Sequence, residues 1–182
     1  GRGLVPHRRP TARDTEGFVV PGDLRRRWDF SAAGVRASLE QSLARLGLDT
    51  IDIAYVHDPD QAWPGAARQG LAALAPLKAA GVVKAVGIGT NATAGLADII
   101  RAGLVDVVLI ANRYSLLDHS ALDTVLVPAR QAGVAVVAAG VFGTGLLATP
   151  RPAPGATYEY RSAGADVFRR AAHLASICDR HD

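Results

Sequence analysis

The chain has one cysteine, two lysines and few aromatic rings, and each scarcity removes a class of protein. Cys178 has no partner for an internal disulfide and no companions at finger-like metal-ligand spacing, so it reads as a bystander in a helix. Lys78 and Lys84 fall on a helix and at the start of a strand. A phosphate-binding aldolase or isomerase barrel needs a lysine or carboxylate at a strand exit, and that reading therefore ranks last. No run approaches the eighteen or more apolar residues of a membrane span, and the first residues lack the basic-then-apolar order of a signal peptide. The expectation is a cytoplasmic protein with no membrane partner. No aromatic-basic platform or recognition-helix pattern is present, so no nucleic-acid partner is expected either.

What is present is a chain of 182 residues with 49% apolar side chains, enough to bury a core. Its basic charge is concentrated at the start: residues 1–27 hold seven arginines against Asp14, Glu16 and Asp23. With Pro6, Pro10 and Pro21 among them, residues 1–28 read as a basic loop or arm, solvated or binding an anion. Helix–strand repeats follow over residues 29–182.

Those repeats are organised around Leu46–Asp60, which reads as a helix end, a buried strand and a polar strand exit. Asp29-Phe30-Ser31 offers a cap, and Val35, Leu39 and Leu43 recur at helical spacing until Gly47. A strand over Ile51–His57 places Ile51, Ile53, Tyr55 and His57 on one face. His57 then stands at the strand's carboxyl end, where parallel α/β proteins bind ligands. It is a candidate proton donor or acceptor; the plainer alternative is a histidine hydrogen-bonded to backbone.

A helical stripe through Leu71, Leu74 and Leu77 runs to Gly81, with Pro76 expected to kink or divide it. Strands follow at Val82–Gly89, Val105–Ala111 and Val134–Ala139, separated by a short helix closing at Gly103 and a helical stretch over Leu117–Ala132 with a kink at Pro128. A Gly-Pro-rich loop and a last helix over 164–180 complete the order. Such alternation implies a parallel sheet with right-handed crossovers, and strands this apolar should be covered on both faces. An open doubly wound sheet and part of an eight-stranded barrel both satisfy this pattern.

Gly87-Ile88-Gly89-Thr90-Asn91-Ala92 formally fits a dinucleotide fingerprint, but Asp106 begins its strand instead of ending it. Thr90 and Asn91 are therefore read as polar groups on the strand rim, or as helix caps. Gly143-Thr144-Gly145 is a second glycine-rich turn, whose free amides and hydroxyl would hold a phosphate, or else a plain tight turn. Asp58 and Asp60 share one turn with no third ligand, so no metal site is expected.

At these residues the chain resembles the aldo-keto reductase family. Ser42-Leu43-Ala44-Arg45-Leu46-Gly47-Leu48-Asp49, leading through Ile51-Asp52-Ile53 to His57, is similar to the signature before that family's fourth barrel strand. Gly87 to Asn91, Asn112-Arg113-Tyr114-Ser115-Leu116-Leu117-Asp118 and Gly143-Thr144-Gly145-Leu146-Leu147 resemble the fifth-, sixth- and seventh-strand segments in the same order. Phe30–Asp60 and Thr157-Tyr158-Glu159-Tyr160 look most like the aldose, fucose and pyridoxal dehydrogenases.

The resemblance implies a partial (β/α)8 TIM barrel of about four parallel strands with flanking helices. It further implies hydride transfer between NADP or NAD and a sugar or similar small carbonyl or alcohol. His57 would orient the substrate oxygen, Thr90 and Asn91 the nicotinamide carboxamide, and Phe142, Gly143, Thr144 and Gly145 the pyrophosphate. Ala111 and Ala139 stand where many members have a nicotinamide-binding glutamine and a stacking tyrosine. The family's catalytic aspartate, tyrosine and lysine have no counterparts here, and Gly1-Arg2 looks like the pair after the lysine strand. The expectation is a fragment, inactive by itself and prone to associate through raw sheet edges. The alternative is a catalytically inactive cofactor-binding or truncated relative.

Overall fold

A computed structural model describes residues 2–16 and 18–181. The chain divides into two compact units, Gly1–Val86 and Gly87–Asp182. Four strands, β3 (Ile51–His57), β4 (Val83–Thr90), β5 (Val107–Ala111) and β6 (Ala135–Ala139), form one sheet in chain order, and the unit boundary falls inside β4. The expected architecture of four parallel strands with flanking helices is therefore observed.

In the first unit, the basic arm is not a loop. Strand β1 (Arg2–Thr11) pairs antiparallel with β2 (Gly22–Trp28), in register from Arg2↔Trp28 to Pro6↔Leu24 and then with an irregularity before Thr11↔Gly22. Prolines in β1 are tolerated because the ribbon has no further strand to serve. Its connection is built on Asp14, whose carboxylate accepts from the Glu16 and Phe18 amides and pairs with the Arg26 guanidinium. The guanidinium also lies 3.9 Å over the Phe18 ring. The arginine-rich composition hid this strand because Arg26 is held inward by a carboxylate instead of being solvated.

Helix α1 (Ala32–Leu46) starts where expected: Ser31 Oγ accepts from the Gly34 amide at 3.1 Å. It ends at Gly47, whose φ of 67° turns the chain out while Leu48 N–H donates back to Leu43. Helix α2 (Gly65–Ala79) buries Ala67, Leu71, Leu74 and Leu77 and runs through Pro76 without dividing. Pro76 lies in its last turn, where its carbonyl still accepts from Ala80. Strand β3 begins with Ile51 N–H donating to Val82, and Asp52 pairs with Lys84 at 2.6 Å.

In the second unit, β4, β5 and β6 pair in parallel, with Thr90 opposite Ile110 and Ala111 opposite Ala139. Ile88, Leu96, Ile99, Ile100, Val108, Ile110, Val125 and Ala129 are fully buried around this sheet and helices α3 (Leu96–Arg101) and α4 (Val127–Ala132). The helical stretch before β6 is a π turn over Leu122–Leu126 followed by α4, with Pro128 in the first turn of α4, where its missing N–H costs least. The Gly-Pro-rich loop carries an unforeseen hairpin of β7 (Thr157–Tyr158) and β8 (Arg161–Ser162), followed by α5 (Ala165–Cys178). Coverage on both faces holds for the inner strands only: Ile53 on β3 and Val137 on β6 are 43% and 41% exposed.

Candidate functional site

His57 is the last residue of β3, and the chain turns immediately after it because Asp58 adopts a left-handed conformation with φ 48°. The turn brings Asp58 Oδ2 to 2.9 Å from His57 Nδ1. With Nδ1–H donating to the carboxylate, the neutral ring keeps Nε2 as its acceptor. The ring is half-exposed, and its partner is a side chain, not the backbone group of the plainer sequence reading.

In the second unit, the strand register sets Thr90, Ala111 and Ala139 at the same end of the sheet, so the loops that leave these strands share a rim. Thr90 is buried, with its hydroxyl accepting from the Ala92 amide at 2.9 Å; Asn91 is exposed beside it. Thr90 does not cap α3, whose N-cap is Gly95. Asn112, also buried and left-handed at φ 60°, donates its amide to Ala139 and lays its side chain against Gly140.

The loop after β6 carries the other expected residues. Phe142 is exposed, and Gly143 is buried beneath the Tyr158 ring. The amides of Gly143 and Gly145 are not free: they donate to Gly140 and Phe142 in successive tight turns, and Leu146 and Leu147 donate to Gly143 and Phe142. The Phe142 ring is exposed on this loop, and the Thr144 hydroxyl accepts from Tyr160 N–H at 3.4 Å. Between the β5 and β6 exits lies a cavity of about 500 Å³ lined by Tyr114, Ser115, His119, Ala138 and Phe142. Tyr114 and His119 meet edge-on with centroids 6.1 Å apart.

A charged network unnoticed in the sequence borders this loop. Arg113 hydrogen-bonds Glu159 and lies 3.5 Å from Asp118. Partial burial opposes the Arg113 charge, but the Glu159 bond and the two carboxylate charges outweigh it and raise its pKa. Burial also pushes Asp118 up, yet the Ser120 hydrogen bonds and Arg113 hold it below the ordinary carboxylate range. Burial, with the charges of Glu159 and Asp118, raises the Tyr158 phenol. The available signal was an arginine directly after a strand-exit asparagine, with a carboxylate five residues on. Among the described residues, no group of three His, Cys, Asp or Glu side chains is placed to hold a metal ion, and no helix is long and apolar enough to cross a membrane.

The sequence profile of the Aldo/keto reductase family matches residues 22–181. The chain belongs to that family. This aldo/keto reductase chain is 41% identical over 179 residues to the D-threo-aldose 1-dehydrogenase of a Pseudomonas species, covering 97% of the chain and 54% of that protein. It is 37% identical over 164 residues to the pyridoxal 4-dehydrogenase of Microbacterium luteolum, covering 85% of the chain and 48% of that protein. The chain thus spans about half the length of the curated relatives it matches. Among solved structures, the holo form of an aldo-keto reductase from Bacillus halodurans superimposes with a TM-score of 0.65 at 25% identity, over 82% of this chain and 48% of that one.

Proposed function

We propose that this aldo/keto reductase chain supplies the proton-handling histidine and part of the cofactor site of a nicotinamide-dependent oxidoreductase acting on a sugar or similar small carbonyl or alcohol. The observation that carries the reading is His57 at the β3 exit with Nδ1 held by Asp58, in a chain so similar to an aldose dehydrogenase. A fixed tautomer presents Nε2 to a substrate oxygen, where it orients the hydroxyl or carbonyl and assists proton movement.

The residues of the second unit fit a nicotinamide dinucleotide. Asn91 offers an exposed carboxamide for the ring's amide, with Thr90, buried and bonded to the Ala92 amide, beside it, and the cavity beside Tyr114 and Phe142 offers aromatic walls to a flat ring. Phe142, Gly143, Thr144 and Gly145 would lie along the pyrophosphate, with the Thr144 hydroxyl as the polar contact, since the glycine amides are already engaged. The cofactor, NADP or NAD, supplies the hydride chemistry when bound. The reading carries with it a cytoplasmic location, where the lone exposed thiol of Cys178 stays reduced.

The test is to titrate the chain with NADH and NADPH by fluorescence, then to follow nicotinamide reduction with a panel of aldoses and small alcohols. Because the family's catalytic aspartate, tyrosine and lysine have no counterparts in these 182 residues, the expected result is binding without turnover by the chain alone, and turnover that falls by about 10²–10⁴ in kcat for His57→Asn once a segment carrying those three residues is joined to it. Binding without turnover of any substrate even in that joined protein would mark a non-catalytic cofactor-binding protein instead.

A further inference from the structure

We propose that the β7–β8 hairpin is a brace for the 142–145 loop, and that Glu159 and Arg113 are positioning residues for cofactor binding through that brace. The inference rests on the proposed role of the loop, but the contacts that carry it are independent of any ligand.

The loop's own tight turns leave one strained backbone conformation among them. Thr144 is a non-glycine residue at φ 58°, a conformation that persists only where the surroundings impose it. The surroundings that do so belong to the hairpin. The Thr157 hydroxyl donates to the Thr144 carbonyl at 3.3 Å, the Tyr160 amide reaches the Thr144 hydroxyl, and the Tyr158 ring covers Gly143. A Cβ on Gly143 would stand 3.0 Å from two carbons of that ring, so the fit leaves no slack.

The hairpin in turn is too small to stand alone. Each strand has two residues, and an isolated two-stranded ribbon is marginal even when longer. Its turn residues, Glu159 and Tyr160, are both left-handed at φ 49° and 64°, positions where a two-residue hairpin prefers asparagine and glycine. It is tied down at two points. Tyr158 packs on the cluster of Leu117, Leu146 and Ala171, and the Glu159 carboxylate is bonded to Arg113. Arg113 directly follows Asn112, whose amide is bonded to Ala139 at the end of β6. A continuous set of contacts therefore runs from the β5 exit through Arg113, Glu159 and the hairpin to Thr144.

A loop that samples other shapes binds more weakly in proportion to its fraction in the competent one, while chemistry at saturation is untouched. Glu159→Ala and the milder Glu159→Gln, made in the full chain, are the variants to compare. The expected result is a several-fold rise in the Kd for NADH or NADPH with the number of binding sites unchanged, and faster amide hydrogen exchange across Gly143–Leu147. Arg113→Ala should act in the same direction, and the Arg113→Ala/Glu159→Ala double variant should be no worse than the poorer single. A general loss of fold would lower the number of binding sites and speed exchange throughout the chain instead of across Gly143–Leu147. Unchanged exchange over Gly143–Leu147 in Glu159→Ala overturns the brace, with or without cofactor. If exchange rises but the unaltered chain binds neither nucleotide, the brace stands and the proposed function fails.

Discussion

The side chain of Asn112, at the end of β5, occupies the space that a side chain on Gly140, after β6, would need: a Cβ there would come within 2.2 Å of Asn112 Oδ1. Gly140 also has φ 64°, so an L side chain meets both a clash and an unfavourable backbone. Gly140→Ala should cost about 1–3 kcal/mol. Gly133→Ala, at φ 70° but facing open space, should cost only the backbone part. Urea denaturation of the two variants separates the terms, and equal losses would show that Asn112 is not packed as described.

The Asp14–Arg26 pair gives the basic ribbon a pH dependence. The Arg26 hydrogen bond is the largest influence holding Asp14 below the ordinary carboxylate range; burial opposes it, and the Glu16 and Phe18 amides and the Arg26 charge assist. A carboxyl lowered on folding stabilises fully above its unfolded value, and that contribution is lost as pH falls through the lowered folded value. Carbon NMR of the Asp14 carboxyl should follow this titration, and Arg26→Gln should move it upward. A wild-type Asp14 that titrates like a free carboxylate would refute the pairing.

Much of this was legible in the sequence, and the rest was not for identifiable reasons. Ser31, Gly47 and the strands ending at His57, Thr90, Ala111 and Ala139 announce themselves because caps and apolar runs are local signals. The β1–β2 ribbon and the β7–β8 hairpin were missed because their stability is not local. One depends on Asp14 reaching Arg26, the other on Glu159 reaching Arg113, and neither strand pair has an apolar alternation to advertise it. The same holds for the loop after β6: its glycines are visible in sequence, but that their amides are consumed in turns is a property of the folded chain.

Asp58 is predicted to serve both the turn and the histidine. Asparagine tolerates a left-handed backbone at least as well as aspartate, so Asp58→Asn should stay within about 0.5 kcal/mol of the parent, whereas Asp58→Ala should lose about 1 kcal/mol. Nitrogen NMR of the His57 ring should report the Nδ1–H tautomer in the parent and a shift toward Nε2–H in Asp58→Ala. Identical ring-nitrogen signals in the two proteins would mean that Asp58 does not set the tautomer.

Gly70 sets two opposing effects against each other. As a residue inside α2 it costs about 1 kcal/mol relative to alanine in helix propensity, so substitution should help on that ground alone. Yet Gly70 is where α2 meets β3: an added Cβ would lie 3.0 Å from both methyl groups of Val56 and 3.4 Å from the Phe30 ring. Val56 is buried and stiff at χ1, so it has little room to yield, and overpacking of this kind costs about 1–3 kcal/mol. Gly70→Ala should therefore be neutral to destabilising despite its better propensity. Val56→Ala removes the two obstructing methyls and should itself destabilise by leaving a void. Combined, the added methyl fills part of that void, so the double variant should be more stable than the sum of the single losses predicts. A denaturant double-mutant cycle reads this coupling directly. Strict additivity would mean that the helix and strand are not in contact at this pair.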